Sequence, residues 1–293
     1  MPYVLSQGIR LYYEESGTGV PIVFVHEFAD DLHGWEPQLR FFSRRYRCIA
    51  FNARGYPPSD VPKAASKYSQ RIATDDIANV MRQLKIKQAH IIGCSMGGYA
   101  TVHFGLRYAR MALSLTAIGV GFGSDPDKRA QFLRDTRVMV RRFIELGTPK
   151  AIKPYQVGPS RIQLQNKDPR GFAHFCAEFA KHSALGSANT QRGVQGRRPS
   201  IYSLEKGLRK LTVPLHVMSG DEDDNCLEPG IFMKRVCPSA WLTVVPNCGH
   251  AVNVEEPDFF NRITAEYLAQ IDSGRWRPRD PRYFNKSTMI RNK

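Results

Sequence analysis

The chain lacks several features that would assign it to other classes of protein. No uninterrupted apolar run in its 293 residues approaches the ~20 residues that a helix needs to cross a bilayer, which argues against stable membrane insertion. No basic segment followed by an apolar core opens the sequence, so no secretory signal is predicted. The 6 cysteines form no C-x-x-C pair and H-E-x-x-H is absent, so we expect no metal site. A reduced, cytoplasmic protein without a cofactor is the expectation.

Basic residues are in excess, but they are concentrated in two segments. The net charge is +15; residues 125–210 contain 18 basic and 7 acidic side chains, and residues 275–293 contain 7 and 1. A high isoelectric point is typical of nucleic-acid-binding proteins. However, no helix-turn-helix, RNP-like or Cys/His finger pattern accompanies it. We therefore predict no nucleic-acid partner.

Short apolar runs alternate with segments of helical periodicity, the pattern of a mostly parallel sheet with helices on both faces. A leading hairpin is predicted from strands at residues 3–5 and 9–14. Further strands are predicted at residues 22–25, 48–51, 90–92, 113–118, 215–218 and 242–245. Helices are predicted between them at residues 35–42, 74–84, 98–108, 230–236 and 258–270.

The stretch between the strands at 113–118 and 215–218 breaks this alternation. Helices are predicted at residues 127–146 and 172–182, with Gly/Ser/Asn/Arg-rich loops at 185–189 and 192–196. Such an insert is best interpreted as a helical cap over the carboxyl edge of the sheet, where ligands bind in open α/β sheets. The predicted domains are a core of residues 1–124 and 211–274, a cap of residues 125–210 and a basic tail of residues 275–293.

The most informative motif is Gly-Cys-Ser-Met-Gly at residues 93–97, which fits the G-x-S-x-G nucleophile elbow. An apolar run leads into it and helix-compatible spacing leads away. A strand, a tight turn and a helix would hold Ser95 on a strained backbone with its hydroxyl in a cleft. A Cβ at Gly93 or Gly97 would collide with the strand or helix packed against the turn.

A serine nucleophile needs a base, and the base needs an orienting carboxylate. Of the 8 histidines, His250 is the one in a loop directly after a late apolar strand, which would place its imidazole above Ser95. The acid is expected in the turn after the preceding strand, where Asp221, Asp223 and Asp224 compete.

Together these residues resemble the α/β-hydrolase superfamily, specifically its capped serine esterase, lactonase and carbon–carbon-bond hydrolase branch. Further matching motifs lie at residues 24–28, 52–55, 220–223 and 249–250. The resemblance implies an eight-stranded, mostly parallel sheet flanked by helices, with a helical cap inserted after strand 6. It also selects Asp223, because the family pattern places the acid three residues past the glycine of that turn.

The resemblance further implies an oxyanion hole made by the backbone N–H groups of Phe28 and Met96. The side chains of Glu27, Phe28 and Met96 then become candidates for lining the substrate pocket. Glu27 departs from the glycine that is usual in the family, and a carboxylate aimed at an oxyanion would oppose its charge. We therefore predict that Glu27 turns away, towards Arg54 or an imidazole.

The activity implied is hydrolysis of carboxylic esters through an acyl-enzyme on Ser95, with lactones and carboxylate-bearing esters as further substrates. The same triad serves carbon–carbon-bond hydrolases and some small-molecule receptors of this fold, so the triad does not separate these alternatives. If the basic cap covers the site, its charge should attract anionic substrates. The expected partner is thus a small molecule, and a homodimer contact through the basic tail stays open.

Overall fold

The computed structural model describes residues 2–284 and contains an eight-stranded sheet. Its strands are β1 (Tyr3–Ser6), β2 (Ile9–Ser16), β3 (Val20–Val25), β4 (Tyr46–Phe51), β5 (Ala89–Cys94), β6 (Ala112–Ile118), β7 (Leu215–Gly220) and β8 (Ala240–Val245). Their spatial order is β1-β2-β4-β3-β5-β6-β7-β8. The β1–β2 and β2–β4 pairs are antiparallel and the other pairs are parallel, which confirms the predicted mostly parallel sheet.

Helices cover both faces of the sheet and fill the segment between β6 and β7. Those that alternate with the strands are α1 (Glu36–Phe42), α2 (Gln70–Gln83), α3 (Met96–Arg107), α11 (Asp224–Val236), α12 (Val252–Glu255) and α13 (Pro257–Asp272). Those between β6 and β7 are α4 (Pro126–Leu146), α5 (Thr148–Ala151), α6 (Lys153–Gln156), α7 (Ile162–Lys167), α8 (Pro169–Ala180), α9 (Ala184–Thr190) and α10 (Glu205–Leu208). The exact limits of core, cap and tail stay a prediction.

Alternate residues of the central strands enter different apolar layers. In β3, Val23 and Val25 belong to one buried cluster, whereas Ile22 and Phe24 belong to the cluster on the opposite face. A strand covered on both sides needs apolar residues at consecutive positions, which explains the unbroken apolar run. Because β3, β5, β6, β7 and β8 run parallel, their carboxyl ends meet at one edge, and the loops that follow them converge there.

The two loops predicted at residues 185–189 and 192–196 are wrong. The first lies in α9, and the second largely coincides with a π-helix at Gln191–Gln195. Ser183 caps α9 by accepting the N–H of Gly186 at 3.1 Å. A Cβ on Gly186 would lie 1.9 Å from the carbonyl oxygen of Gly55, so small residues let this helix pack closely on a core loop. Tertiary packing therefore overrides the low helix propensity of the segment.

Several helices begin earlier than the periodicity indicated, α2 and α11 by the largest number of residues, and the tail is only partly described. Ser69 caps α2 by accepting the N–H of Ile72 at 3.1 Å, so that helix starts at Gln70. The helix predicted at 230–236 starts at Asp224 and contains Pro229. The basic tail reaches a short 3-10 turn at Pro281–Phe284, and its residues 285–293 lie outside the described residues. Among the helices of residues 2–284, none has the length and apolar content that a bilayer span requires.

Candidate active site

Ser95 lies on a sharp turn between β5 and α3. Its φ of 51° and ψ of −109° are unusual for a residue with a side chain, and its N–H donates to the carbonyl of Ile118 at 2.7 Å. A Cβ on Gly97 would lie 2.1 Å from the carbonyl oxygen of Val25, and one on Gly93 would lie 2.3 Å from that of Gly97. Neither contact is sterically possible, so both glycines are needed for this strand–turn–helix arrangement.

His250 and Asp223 meet beside this turn. His250 follows β8, and Asp223 lies between β7 and α11. Nδ1 of the imidazole is 2.7 Å from Oδ2 of Asp223, and the two residues are 5% and 7% exposed. Asp221 and Asp224 are solvent-exposed instead. Asp223 is therefore the one of the three candidate aspartates whose carboxylate contacts the imidazole.

Electrostatics couple the two side chains of this pair. Burial alone would lower the pKa of His250, but the charge and hydrogen bond of Asp223 outweigh it and raise that pKa above its usual value. Burial likewise opposes ionisation of Asp223, but the nearby imidazole lowers the pKa of that carboxyl. The carboxylate therefore stays charged and holds the imidazole in place by its Nδ1 atom.

A cavity of about 610 Å3 opens over these residues and is lined by Ser95, Asp223, His250 and Phe28. Much of the opposite wall comes from the helices between β6 and β7 and is largely apolar, including Phe132, Val138, Met139, Pro154 and Tyr155. A cavity of this size with a few convergent polar groups is typical of a small-molecule site.

Two of the three predicted pocket side chains lie elsewhere. Phe28 lines the cavity, but Glu27 and Met96 do not. Met96 is the first residue of α3 and is 4% exposed in an apolar cluster that also contains Phe28. Its side chain packs within that cluster, with its sulfur 4.0 Å from the hydroxyl of Tyr56. The prediction of a pocket-lining side chain is therefore corrected for Glu27 and Met96.

Glu27 forms a buried ion pair with Arg161, which lies just before α7. Oε2 of Glu27 is 2.5 Å from Nη2 of Arg161, and the side chains are 4% and 1% exposed. The predicted partner Arg54 is instead paired with Asp76 at 2.6 Å. The partner predicted for Glu27 is therefore wrong, because the cation comes from the segment between β6 and β7.

A tyrosine that sequence reasoning missed anchors the loop after β3. The hydroxyl of Tyr56 donates to the carbonyl oxygen of Phe28 at 2.9 Å. His26 supports the same loop: it accepts the N–H of Ala53 at Nε2 at 3.0 Å, and Nδ1 lies 2.6 Å from the carbonyl of Glu27. Burial lowers the pKa of His26, so the neutral ring donates from Nδ1. The signal for Tyr56 in the sequence was only its position next to the motif at residues 52–55.

The donor atoms of Asp223, Cys226 and His250 lie within 4.8 Å of one another, a spacing that a metal ion could bridge. Burial raises the pKa of the Cys226 thiol well above its usual value, so the sulfur stays protonated. A protonated thiol is a poor metal ligand. The imidazole Nδ1 is also already engaged with Asp223. The arrangement therefore fits an acid–imidazole pair better than a metal centre.

Comparison with known proteins agrees with this geometry. A family model described as the alpha/beta hydrolase fold matches residues 20–152. The 3-oxoadipate enol-lactonase 2 of Acinetobacter baylyi is 26% identical over 279 residues, 91% of this chain and 96% of that protein. The 2-hydroxy-6-oxononadienedioate/2-hydroxy-6-oxononatrienedioate hydrolase of Comamonas testosteroni is 24% identical over 89% of this chain and 91% of its own length.

The fold also matches solved structures. That of a thermophilic esterase from Thermogutta terrifontis has a TM-score of 0.82 at 22% identity, covering 92% of this chain and 98% of that one. Together with the family match over residues 20–152 and the strand–turn–helix at Ser95, this likeness shows that the chain has the α/β-hydrolase fold.

Proposed function

We propose that the protein is a serine hydrolase that cleaves carboxylic esters. In this proposal Ser95 is the nucleophile, His250 is the general base and Asp223 orients the imidazole. The observation that carries it is the buried hydrogen bond between His250 and Asp223 beside a cavity that Ser95 also lines. Because Asp223 engages Nδ1, the other ring nitrogen, Nε2, is left to accept a proton from the serine.

The reaction then proceeds by acyl transfer. Ser95 Oγ attacks the ester carbonyl carbon as its proton passes to His250 Nε2, and the carbonyl oxygen becomes an oxyanion. The N–H groups of Phe28 and Met96 are the proposed donors to this oxyanion, each worth ~3 kcal/mol in such sites. Collapse expels the alcohol, protonated by the imidazolium, and leaves an acyl-enzyme. A water molecule, deprotonated by the same imidazole, releases the acid and restores Ser95.

The proposed substrates include lactones and esters that bear a free carboxylate. The relatives named as a 3-oxoadipate enol-lactonase and a 2-hydroxy-6-oxononadienedioate hydrolase support this class. The net charge of +11 on residues 125–210, from 18 basic and 7 acidic side chains, supports an anionic substrate as well. The second of those relatives also makes carbon–carbon-bond hydrolysis the alternative activity.

A substrate panel tests the proposal. It contains short and long p-nitrophenyl esters, lactones and a dienone, assayed with the wild type, Ser95→Ala and Ser273→Ala. Ser273 is an exposed serine beyond α13 whose hydroxyl bonds the carbonyl of Ala269, so it serves as the matched control. We expect multiple turnover by the wild type and the control, and a loss of at least about 10³-fold in Ser95→Ala.

Other outcomes redirect or reject this function. Turnover of the dienone without turnover of any ester would transfer the mechanism to carbon–carbon-bond hydrolysis. A single slow turnover with no steady state would instead favour a small-molecule receptor built on this fold. Ester hydrolysis that persists in Ser95→Ala would reject the assigned nucleophile.

A further inference from the structure

A buried arginine without an acidic partner lies in the wall of the cavity that contains Ser95. Among residues 2–284, Arg54, Arg161 and Arg198 are the buried arginines, and the first two are each paired with a buried carboxylate. Arg198 is 2% exposed, lines the cavity and forms no ion pair within the described part of the chain. Nη2 donates to the carbonyl of Phe122 at 2.6 Å, whereas Nε and Nη1 have no described hydrogen-bond partner.

The local contacts of Arg198 do not compensate its charge. The guanidinium carbon lies 3.8 Å from the ring centroid of Tyr99, a favourable cation–π contact. Burial lowers the pKa of Arg198 from its ordinary value, but an arginine side chain stays charged in proteins. An unpaired buried charge with unused donors is unfavourable unless a counter-charge joins it. A ligand in the cavity is the natural source of that charge.

The neighbouring residues of the wall are polar donors and acceptors. Gln191 and Gln195 begin and end the π-helix that precedes Arg198; both line the cavity and each is 7% exposed. Irregular π turns of this kind occur frequently at functional sites. The acidic residues that line the cavity, apart from Asp223, are solvent-exposed: Asp135, Glu222 and Asp224.

We infer that Arg198, with Gln191 and Gln195, forms a carboxylate-binding subsite for the part of the substrate that is not cleaved. The planar guanidinium suits a carboxylate because two N–H groups can bond its two oxygens. The ligand class is thus a small ester or lactone that carries a free carboxylate. The expected preference for carboxylate-bearing esters in catalysis rests on the proposed function, whereas the binding of a carboxylate at Arg198 does not.

Paired substrates test the subsite. One is the mono-p-nitrophenyl ester of glutaric acid, and the other is the same ester with its free carboxylate methylated. We expect Arg198→Gln to lower kcat/KM for the acid by on the order of 10²-fold, mainly through KM, with the methyl ester changed by less than about threefold. Arg198→Lys should retain part of the preference. Lys87→Gln is the control and should leave both rates unchanged, since Lys87 is an exposed cation that does not line the cavity.

A binding assay separates this inference from the proposed hydrolysis. Succinate, glutarate and adipate are titrated against the wild type and Arg198→Gln while thermal unfolding is followed. Stabilisation of the wild type alone supports the subsite even if no ester is cleaved. Turnover of both esters without any preference for the acid, and without stabilisation by a diacid, overturns the subsite and leaves the hydrolase proposal intact.

Two further outcomes are decisive. An equal loss on the acid and the methyl ester in Arg198→Gln assigns Arg198 a purely structural role and overturns the inference. If the Arg198 variants fail to fold, the wild type is assayed with both esters at 1 M salt, where the Debye length is ~3 Å. A preference for the acid that survives this screening supports a direct contact, and its disappearance overturns it.

Discussion

The imidazole of His250 sets the pH range in which the proposed hydrolase works. Since a general base must be neutral, kcat/KM should rise with pH through the pKa of His250. Asp223 raises that pKa by its charge and hydrogen bond, against the opposing effect of burial. In Asp223→Asn the rising limb should therefore move to lower pH, while kcat falls by about 10⁴-fold because the tautomer is no longer held. A pH–rate profile with a fluorogenic ester measures both effects.

The control for that profile is Asp221→Asn. Asp221 is exposed and accepts the N–H of Cys248 at 3.1 Å, away from the imidazole. Its replacement should leave the position of the limb unchanged. A limb that stays fixed in Asp223→Asn, or moves equally in both variants, would contradict the assigned role of Asp223.

The hydroxyl of Tyr56 should matter for rate as well as stability. It holds the carbonyl of Phe28, whose own N–H is a proposed oxyanion donor. Tyr56→Phe should lower the free energy of unfolding by about 1 kcal/mol and reduce kcat by roughly tenfold, with KM nearly unchanged, because the loop is less well held. Tyr68→Phe is the matched control, since that hydroxyl donates to the carbonyl of Pro62 at 3.0 Å. Equal kcat values in the two variants would remove Tyr56 from the positioning of the loop.

Some site residues were accessible from sequence and others were not. Ser95 stood out because a dense local motif defines its turn, and His250 because of its loop after a late strand. Asp223 required the family pattern, since local chemistry does not distinguish it from Asp221. The pairing of Arg161 with Glu27 was not predictable from the sequence. The two residues are 134 positions apart in the chain, and no local pattern encodes such a contact.

At the level of elements, the pair of Glu27 and Arg161 joins the loop after β3 to the segment between β6 and β7. Removing one partner of a buried ion pair leaves an uncompensated charge. Arg161→Met should therefore lower the free energy of unfolding by roughly 3–5 kcal/mol, and adding Glu27→Gln should recover much of the loss. Denaturant unfolding of both single variants and the double variant measures the coupling.

The exposed pair of Glu36 and Arg40 provides the comparison for this set of single and double variants. Its side chains are 50% and 79% exposed, so the corresponding coupling should be below about 1 kcal/mol. A Glu27–Arg161 coupling as small as that of the exposed pair would show that the buried contact does not hold the two elements together.

The elements themselves were predictable where one principle dominated. Strands that are buried on both faces, such as β5, were predictable from their apolar runs. Long amphipathic helices such as α4 were predictable from the periodicity of their apolar residues. The loop predicted in the region of α9 was wrong. The glycine and serine residues of this segment favour loops locally, but their small size is what the packing of α9 against Gly55 requires. Local propensity and tertiary packing conflict there, and packing determines the outcome.

At the level of the whole molecule, topology explains how distant positions share one cavity. Parallel strands deliver the loops after β3, β5, β7 and β8 to the same edge of the sheet, which brings Phe28, Ser95, Asp223 and His250 together. The helices between β6 and β7 then supply the opposite wall and most of the basic charge. Charge distribution and cavity are therefore linked by the same chain segment.

This distribution predicts that carboxylate-bearing esters respond to ionic strength. Arg137, Arg141, Lys150 and Lys153 are exposed in the segment between β6 and β7. Replacing all four with Gln should lower kcat/KM for the mono-p-nitrophenyl ester of glutaric acid by roughly tenfold at low salt. The wild-type advantage should disappear as salt shortens the Debye length to ~8 Å and below.

The control for this long-range effect carries the same charge change elsewhere. Arg44, Arg45, Lys87 and Arg110 are exposed on the core, and their replacement with Gln should leave the salt response of the acid ester nearly intact. The methylated ester should respond to neither set, because it has no charge to attract. If both sets lower kcat/KM equally, net charge alone matters and the position of the basic segment over the cavity does not. Electrostatic steering by the basic segment requires that the two sets of replacements lower kcat/KM for the acid ester to different extents. Direct binding at Arg198 instead requires that the preference for the acid ester over the methylated ester persists at high salt.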